Sequence, residues 1–148
     1  MVGDTQKRKT LMEEQFGNFA ANLTEFLRFF VVAAILTIIF VVVYTRITKH
    51  NELSLIKEGS TPAALAFSGS LIGFALPVAS TMISSNTVVE LALWGLVALV
   101  VQILVYFLIR LPMPRISARI ESGEVAAGIW LGAGSLVAGI LNAASITN

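Results

Sequence analysis

Cysteine is absent from this 148-residue chain, histidine occurs once, and only 13% of the residues are Asp, Glu, Lys or Arg. Without cysteine there can be no disulfide, thiol nucleophile or thiolate metal site. The single histidine, His50, has no second imidazole or thiolate to share a metal with, and in its charged loop it reads as a solvated side chain. The charged fraction is roughly half that of a soluble domain. A formal net charge of +1 offers no reason to expect a nucleic-acid partner. Charge is scarcest where chemistry would need it, because no Asp, Glu, Lys or Arg lies deep within any of the long apolar runs. Proton-coupled and voltage-sensing mechanisms therefore have little to work with. Nor can acid–base or nucleophilic groups be assembled into a catalytic set, so the chain is not expected to be an enzyme and no cofactor is expected.

What is present is hydrocarbon. Four runs, about Phe26 to Thr45, Pro62 to Ile83, Val88 to Ile109 and Val125 to Ile146, each approach the roughly 20 residues that cross a bilayer core. They make an all-α membrane protein. Lys7, Arg8 and Lys9 lie far from the first run and no small-residue cleavage site closes it, so that run reads as retained. Residues 1–25 form a tail, and residues 26–148 form a four-helix transmembrane domain.

The tail has its own period. Met12, Phe16, Phe19, Leu23, Phe26 and Phe30 recur at helical spacing, with Glu14, Asn18, Asn22 and Glu25 on the opposite side. This predicts an amphipathic N-terminal helix seated in the membrane interface by Phe16, Phe19 and Leu23, with partner docking as its competing use.

The transmembrane domain repeats itself. A shift of 65 residues sets Gly69 on Gly134, Ser70 on Ser135, Leu76 on Leu141 and Ser80 on Ser145; a shift of 64 sets Arg46 on Arg110, Ile56 on Ile120 and Gly59 on Gly123. Both halves, about 26–83 and 88–146, are helix, basic loop, helix. They have the same polarity, so they read as two parallel repeats related by an axis along the membrane normal. The first and third spans are bulky and lipid-facing in character. The second and fourth are lined with small residues: Gly69, Ser70 and Gly73 in one, Gly128, Gly132, Ser135 and Gly139 in the other. Such spacing permits close backbone approach, so spans two and four are expected to pack together, with Gly69 and Gly134 in equivalent contacts; contact between subunits is the alternative use.

Several polar residues are explained by helix ends. Thr61 before Pro62 reads as an N-cap with proline at the first helical position. Thr87 to Glu90 reads as a capping box, and Glu58 and Glu124 complement the positive starts of spans two and four. Gln102, Asn142 and Ser80 remain as intramembrane polar groups. They serve either interhelical hydrogen bonding or a polar pathway.

Arg46, Lys49 and Lys57 fill the first loop and Arg110, Arg115 and Arg119 the third, whereas the Ser84 to Thr87 turn has no Lys or Arg. The positive-inside bias puts the basic loops in the cytoplasm and both termini outside, although Lys7, Arg8, Lys9 and Arg28 pull the other way.

The segments Tyr44 to Glu52 (YTRITKHNE), Ala63 to Pro77 (AALAFSGSLIGFALP), Leu93 to Gln102 (LWGLVALVVQ) and Arg110 to Pro114 (RLPMP) resemble the YjfL-like proteins, an uncharacterised bacterial inner-membrane family known as domain of unknown function 350. The likeness runs from about Phe26 to the C-terminus, while the longer tail departs from it. It implies a multi-pass protein of the bacterial inner membrane with four spans and outward termini, and carries no established activity or functional residues. Two readings follow. The first is a structural or partner-binding membrane module in envelope organisation or stress, in contact with the lipid bilayer and with another copy or another membrane-associated protein. The alternative is an oligomeric channel or small-solute transporter. A tight, dry contact between spans two and four favours the first; a hydrated cleft beside Ser70, Gln102 or Asn142 favours the second.

Overall fold

A computed structural model describes residues 2–48 and 51–147, with side chains from Gln6 onward; Lys49 and His50, assigned above to the basic loop, lie outside the described residues. Every described element is helical: α1 (Val2–Ile47), α2 (Glu52–Lys57), α3 (Thr61–Ser84), α4 (Val88–Arg110), α5 (Ile116–Glu121) and α6 (Val125–Ile146). Four of these, α1, α3, α4 and α6, are long and apolar enough to cross a membrane. At 1.5 Å per residue, α3, α4 and α6 run for roughly 33 to 36 Å, enough for a core of roughly 30 Å.

α1 differs from the expected tail and span. It is one continuous helix of 46 residues, about 69 Å long, with no break near Phe26. Every described side chain from Gln6 to Arg28 is exposed, and the helix joins the bundle from Phe29 onward, most deeply through the stripe Leu36, Phe40 and Tyr44. No proline or glycine interrupts residues 18–47, so nothing in the backbone forces a turn between tail and span.

Local chemistry fixes the other ends. Ser60, not Thr61, caps α3: its side chain accepts from the Ala63 N–H, which puts Pro62 at the second helical position. Thr87 caps α4 by accepting from the Glu90 N–H at 3.2 Å. The Glu90 carboxylate closes the box on the Asn86 N–H, also at 3.2 Å. Glu124 precedes α6 without a side-chain cap bond and instead grips Arg119 through two contacts, one of them 2.6 Å from the Arg119 Nε. That guanidinium holds the Glu124 carboxyl below its ordinary value, while Glu124 raises Arg119. Both short helices end on a glycine at φ 87°, Gly59 and Gly123, a conformation that side chains with a Cβ rarely adopt. Ser60 N–H to Leu55 O and Glu124 N–H to Arg119 O close the two turns identically.

The closest packing is between α3 and α6. Added Cβ atoms at Gly128, Gly132 and Gly139 would fall closer than 3.0 Å to the backbone of Pro62, Leu65 and Gly73, and one at Gly69 would meet the backbone of Gly132. Backbone on backbone is the contact that small-residue spacing permits. Gly134 does not share it. Its Cβ would meet the Ile109 side chain on α4, because one turn of α6 carries Gly132 and Ser135 toward α3 and leaves Gly134 pointing aside. On α4, Gly95 forms the notch that receives Leu36 of α1.

Candidate functional site

The core of the bundle is apolar toward one end and polar toward the other. Phe40 and Phe74, on α1 and α3, stack at 4.4 Å between ring centroids, nearly parallel. One turn nearer α2 and α5 the lining changes to Tyr44, Ser70, Gln102 and Ser135, each at most 3% exposed. Ser70 Oγ donates to the Tyr44 hydroxyl at 3.1 Å and lies 3.2 Å from Ser135 Oγ. A serine hydroxyl has a single proton, so it can serve only one of these contacts at a time. From α4, the Gln102 side-chain amide donates to the carbonyl oxygens of Ser135 (3.3 Å) and Ser70 (3.5 Å), tying the third span to both small-residue helices.

Below this layer sits a carboxylate. Glu52, the first residue of α2, is 0% exposed and lies close enough to the Tyr44 hydroxyl to interact with it electrostatically. Tyr106 stands edge-on to Tyr44 at 6.1 Å, and its hydroxyl is 3.4 Å from Ser117 Oγ on α5. Arg110 lies over the Tyr106 ring at 5.5 Å, a cation–π contact at the bundle's rim. The result is a hydroxyl chain from Tyr44 through Ser70 to Ser135, with Glu52 beside its Tyr44 end and Gln102 holding its far end. It stops there, because the Phe40–Phe74 stack and the buried Val78 and Leu91 follow, and the buried Thr81 beyond them is engaged by the Pro77 carbonyl of its own helix.

The sequence-selected residues divide accordingly. Ser70, Ser135 and Gln102 meet in this cluster, and Gly69, Gly73, Gly128, Gly132 and Gly139 form the helix contact around it. Ser80 and Asn142 do not join it. Ser80 donates across to the Ala143 carbonyl at 3.0 Å near the opposite end, and Asn142 is half-buried there with its Nδ2 enclosed and without a hydrogen-bond partner among the described residues. Phe16, Phe19 and Leu23 are exposed on the α1 extension, far from the cluster.

Glu52, Tyr44, Tyr106 and Ser117 are the members that charge and hydropathy did not single out. A signal existed. The shift of 64 that sets Gly59 on Gly123 also sets Glu52 on Ile116, and both residues begin a six-residue helix and are 0% exposed. A carboxylate at a buried helix start where the helix 64 residues on has isoleucine is not required by packing.

Comparison with known proteins adds the following. Residues 18–146 match the family described as Domain of Unknown Function (DUF350). The chain is 41% identical over 126 residues to the UPF0719 inner membrane protein YjfL of Escherichia coli (strain K12), covering 85% of this chain and 96% of that protein. It is 25% identical over 109 residues to the UPF0719 transmembrane protein YshE of Bacillus subtilis (strain 168), covering 72% and 81%. No solved structure matches.

Proposed function

The chain belongs to the DUF350 family of membrane proteins, and from that premise we propose that it acts as a structural, partner-binding module of the bacterial inner membrane and not as a conduit. One observation carries the reading: the polar chain from Tyr44 ends against the stacked Phe40 and Phe74 instead of crossing the bundle. A path for solute or protons needs polar groups or water at every depth. The backbone-to-backbone contact of α3 with α6 supports the same side. Neutral hydrogen bonds between membrane helices contribute only about 0.6 kcal/mol each, which suits a packing role for Ser70, Ser135 and Gln102.

In this reading the domain is two parallel helix–loop–helix repeats. Supporting it, α2 and α5 have equal lengths and identical glycine closures 64 residues apart, and the buried positions of α6 at 127, 128, 131, 135 and 139 match those of α3 at 62, 63, 66, 70 and 74 at a shift of 65. The one-residue change of shift falls between loop and span.

The basic loops are taken to face the cytoplasm, with both termini outside. Since the chain has no cysteine, single cysteines report cleanly. Those replacing Leu53 on α2 and Ala118 on α5 should resist a membrane-impermeant maleimide in intact cells, and one replacing Asn86 should react. The opposite labelling pattern reverses the orientation.

The α1 extension is the contact element of the module. It presents Phe16, 73% exposed, and Phe19, 64% exposed, beyond the part of α1 that the bundle uses. An aromatic pair of this kind is the sort of anchor that dominates binding energy when a partner buries it. With a photo-crosslinking amino acid in place of Phe16, irradiation of cells should yield a protein adduct, of a second copy or of another membrane-associated protein, that disappears when Phe19→Ser is added. Adducts with lipid alone would make the extension an interfacial anchor.

A further inference from the structure

We propose that the seam between α1 and α3, at the end away from α2 and α5, binds a phospholipid with a primary-ammonium headgroup. Two cavities meet there at Met82. The first is an apolar trough of about 450 Å³ between the helices, where Ala33 and Ala34 of α1 face Ala75 and Ala79 of α3. Four alanines leave width that larger side chains would fill. Thr37, on the same wall, donates its hydroxyl to the Ala33 carbonyl at 2.8 Å, so its polar atom is already engaged by its own helix. From Ala75 to Met82 the trough rises about 10 Å, and along Phe30 to Ile38 about 12 Å, comparable with the roughly 15 Å of one leaflet's hydrocarbon.

Above Met82 the second cavity, about 420 Å³, is lined by Asn22, Glu25, Ser85 and Asn86 together with the apolar Phe26, Phe29 and Met82. It adjoins the turn between α3 and α4, where the apolar spans end and headgroups begin. The Ser85 hydroxyl oxygen on its wall is enclosed and has no hydrogen-bond partner among the described residues, a costly state for a polar group. Glu25 has no ion-pair partner among the described residues either. Together the Glu25 carboxylate and the amide oxygens of Asn22 and Asn86 offer acceptors for the three N–H donors of a primary ammonium. A quaternary ammonium could donate to none of them, and an anionic headgroup would meet the Glu25 charge. Arg28, three residues along α1, opens onto the adjoining groove beside Thr24 and Val88 and is placed to meet the phosphate.

The test is native mass spectrometry on the full chain in detergent, titrated with phosphatidylethanolamine, phosphatidylglycerol and phosphatidylcholine of identical acyl chains. One ethanolamine lipid per chain should be retained about tenfold more strongly than the other two, the size expected of a charge-assisted hydrogen bond. Glu25→Gln should erase that preference without affecting the fold, since the residue is exposed. Ala79→Leu, which narrows the trough, should lower retention of all three lipids, and Glu14→Gln, outside both cavities, should change nothing. Equal retention of the three headgroups by the unaltered chain, or a preference that survives Glu25→Gln, would overturn the proposal.

Discussion

Replacing Gly139 with leucine should separate α6 from α3 and cost about 3 kcal/mol or more, at or above the upper end of ordinary overpacking. A Cβ there meets the Gly73 backbone, including its Cα and carbonyl oxygen, and no rotamer change can move a backbone out of the way. Gly69→Leu should behave similarly, because its obstacle is the backbone of Gly132. Two controls set the scale. Gly134→Ala meets chiefly the Ile109 Cδ1, the end of a flexible side chain, and should cost under about 1.5 kcal/mol. Gly17→Ala has nothing within 4 Å and should be neutral or raise the helical stability of the α1 extension by up to about 1 kcal/mol. Thermal unfolding in detergent, followed by helical circular dichroism, ranks the four. Equal tolerance at Gly139 and Gly17 would remove the α3–α6 contact as the centre of the fold.

The second large effect is expected at the aromatic stack. Phe74 is 0% exposed and Phe40 is 1% exposed, so Phe74→Ala leaves a cavity with the Phe40 ring on one wall. In lipid the transfer gain is small, since an unpacked ring is already out of water, and the loss is of dispersion contacts and of packing around the void. A destabilisation of about 3 kcal/mol follows, the low end for such truncations. Phe74→Leu, which keeps most of the volume, should cost under about 1.5 kcal/mol. Comparable losses for the alanine and leucine variants would mean that the void is not what destabilises the bundle.

The spans were legible because a bilayer demands long apolar runs, and α3, α4 and α6 fall within a residue or two of those runs. The glycine contacts were legible for a related reason: only residues without bulk allow two helix backbones to touch. What escaped was orientation about a helix axis. Ser135 and Gly134 are neighbours in sequence, yet one reaches Ser70 and the other faces Ile109, a distinction that depends on how α4 wedges against α6. Asn142 and Gln102 looked alike as isolated amides, but only Gln102 lies at the depth where α3 and α6 expose carbonyls to it. Glu52 was hidden by its setting, since an acid opening a short helix in a charged loop reads as a solvated cap. Its burial follows from the way α2 folds back onto α3 beneath Tyr44, a tertiary event without a local signature. The continuity of α1 escaped too, because amphipathic and wholly apolar stretches differ in what surrounds a helix and not in its backbone.

The most direct test of the sealed core is proton and ion flux in liposomes containing the purified chain, read with an internal pH-sensitive dye under an imposed gradient. A bundle closed by Phe40 and Phe74 should give the flux of protein-free vesicles. Flux above that level, lost in Tyr44→Phe or Gln102→Leu while folding is preserved, would contradict the structural reading and make the Tyr44 chain the inner half of a conducting path.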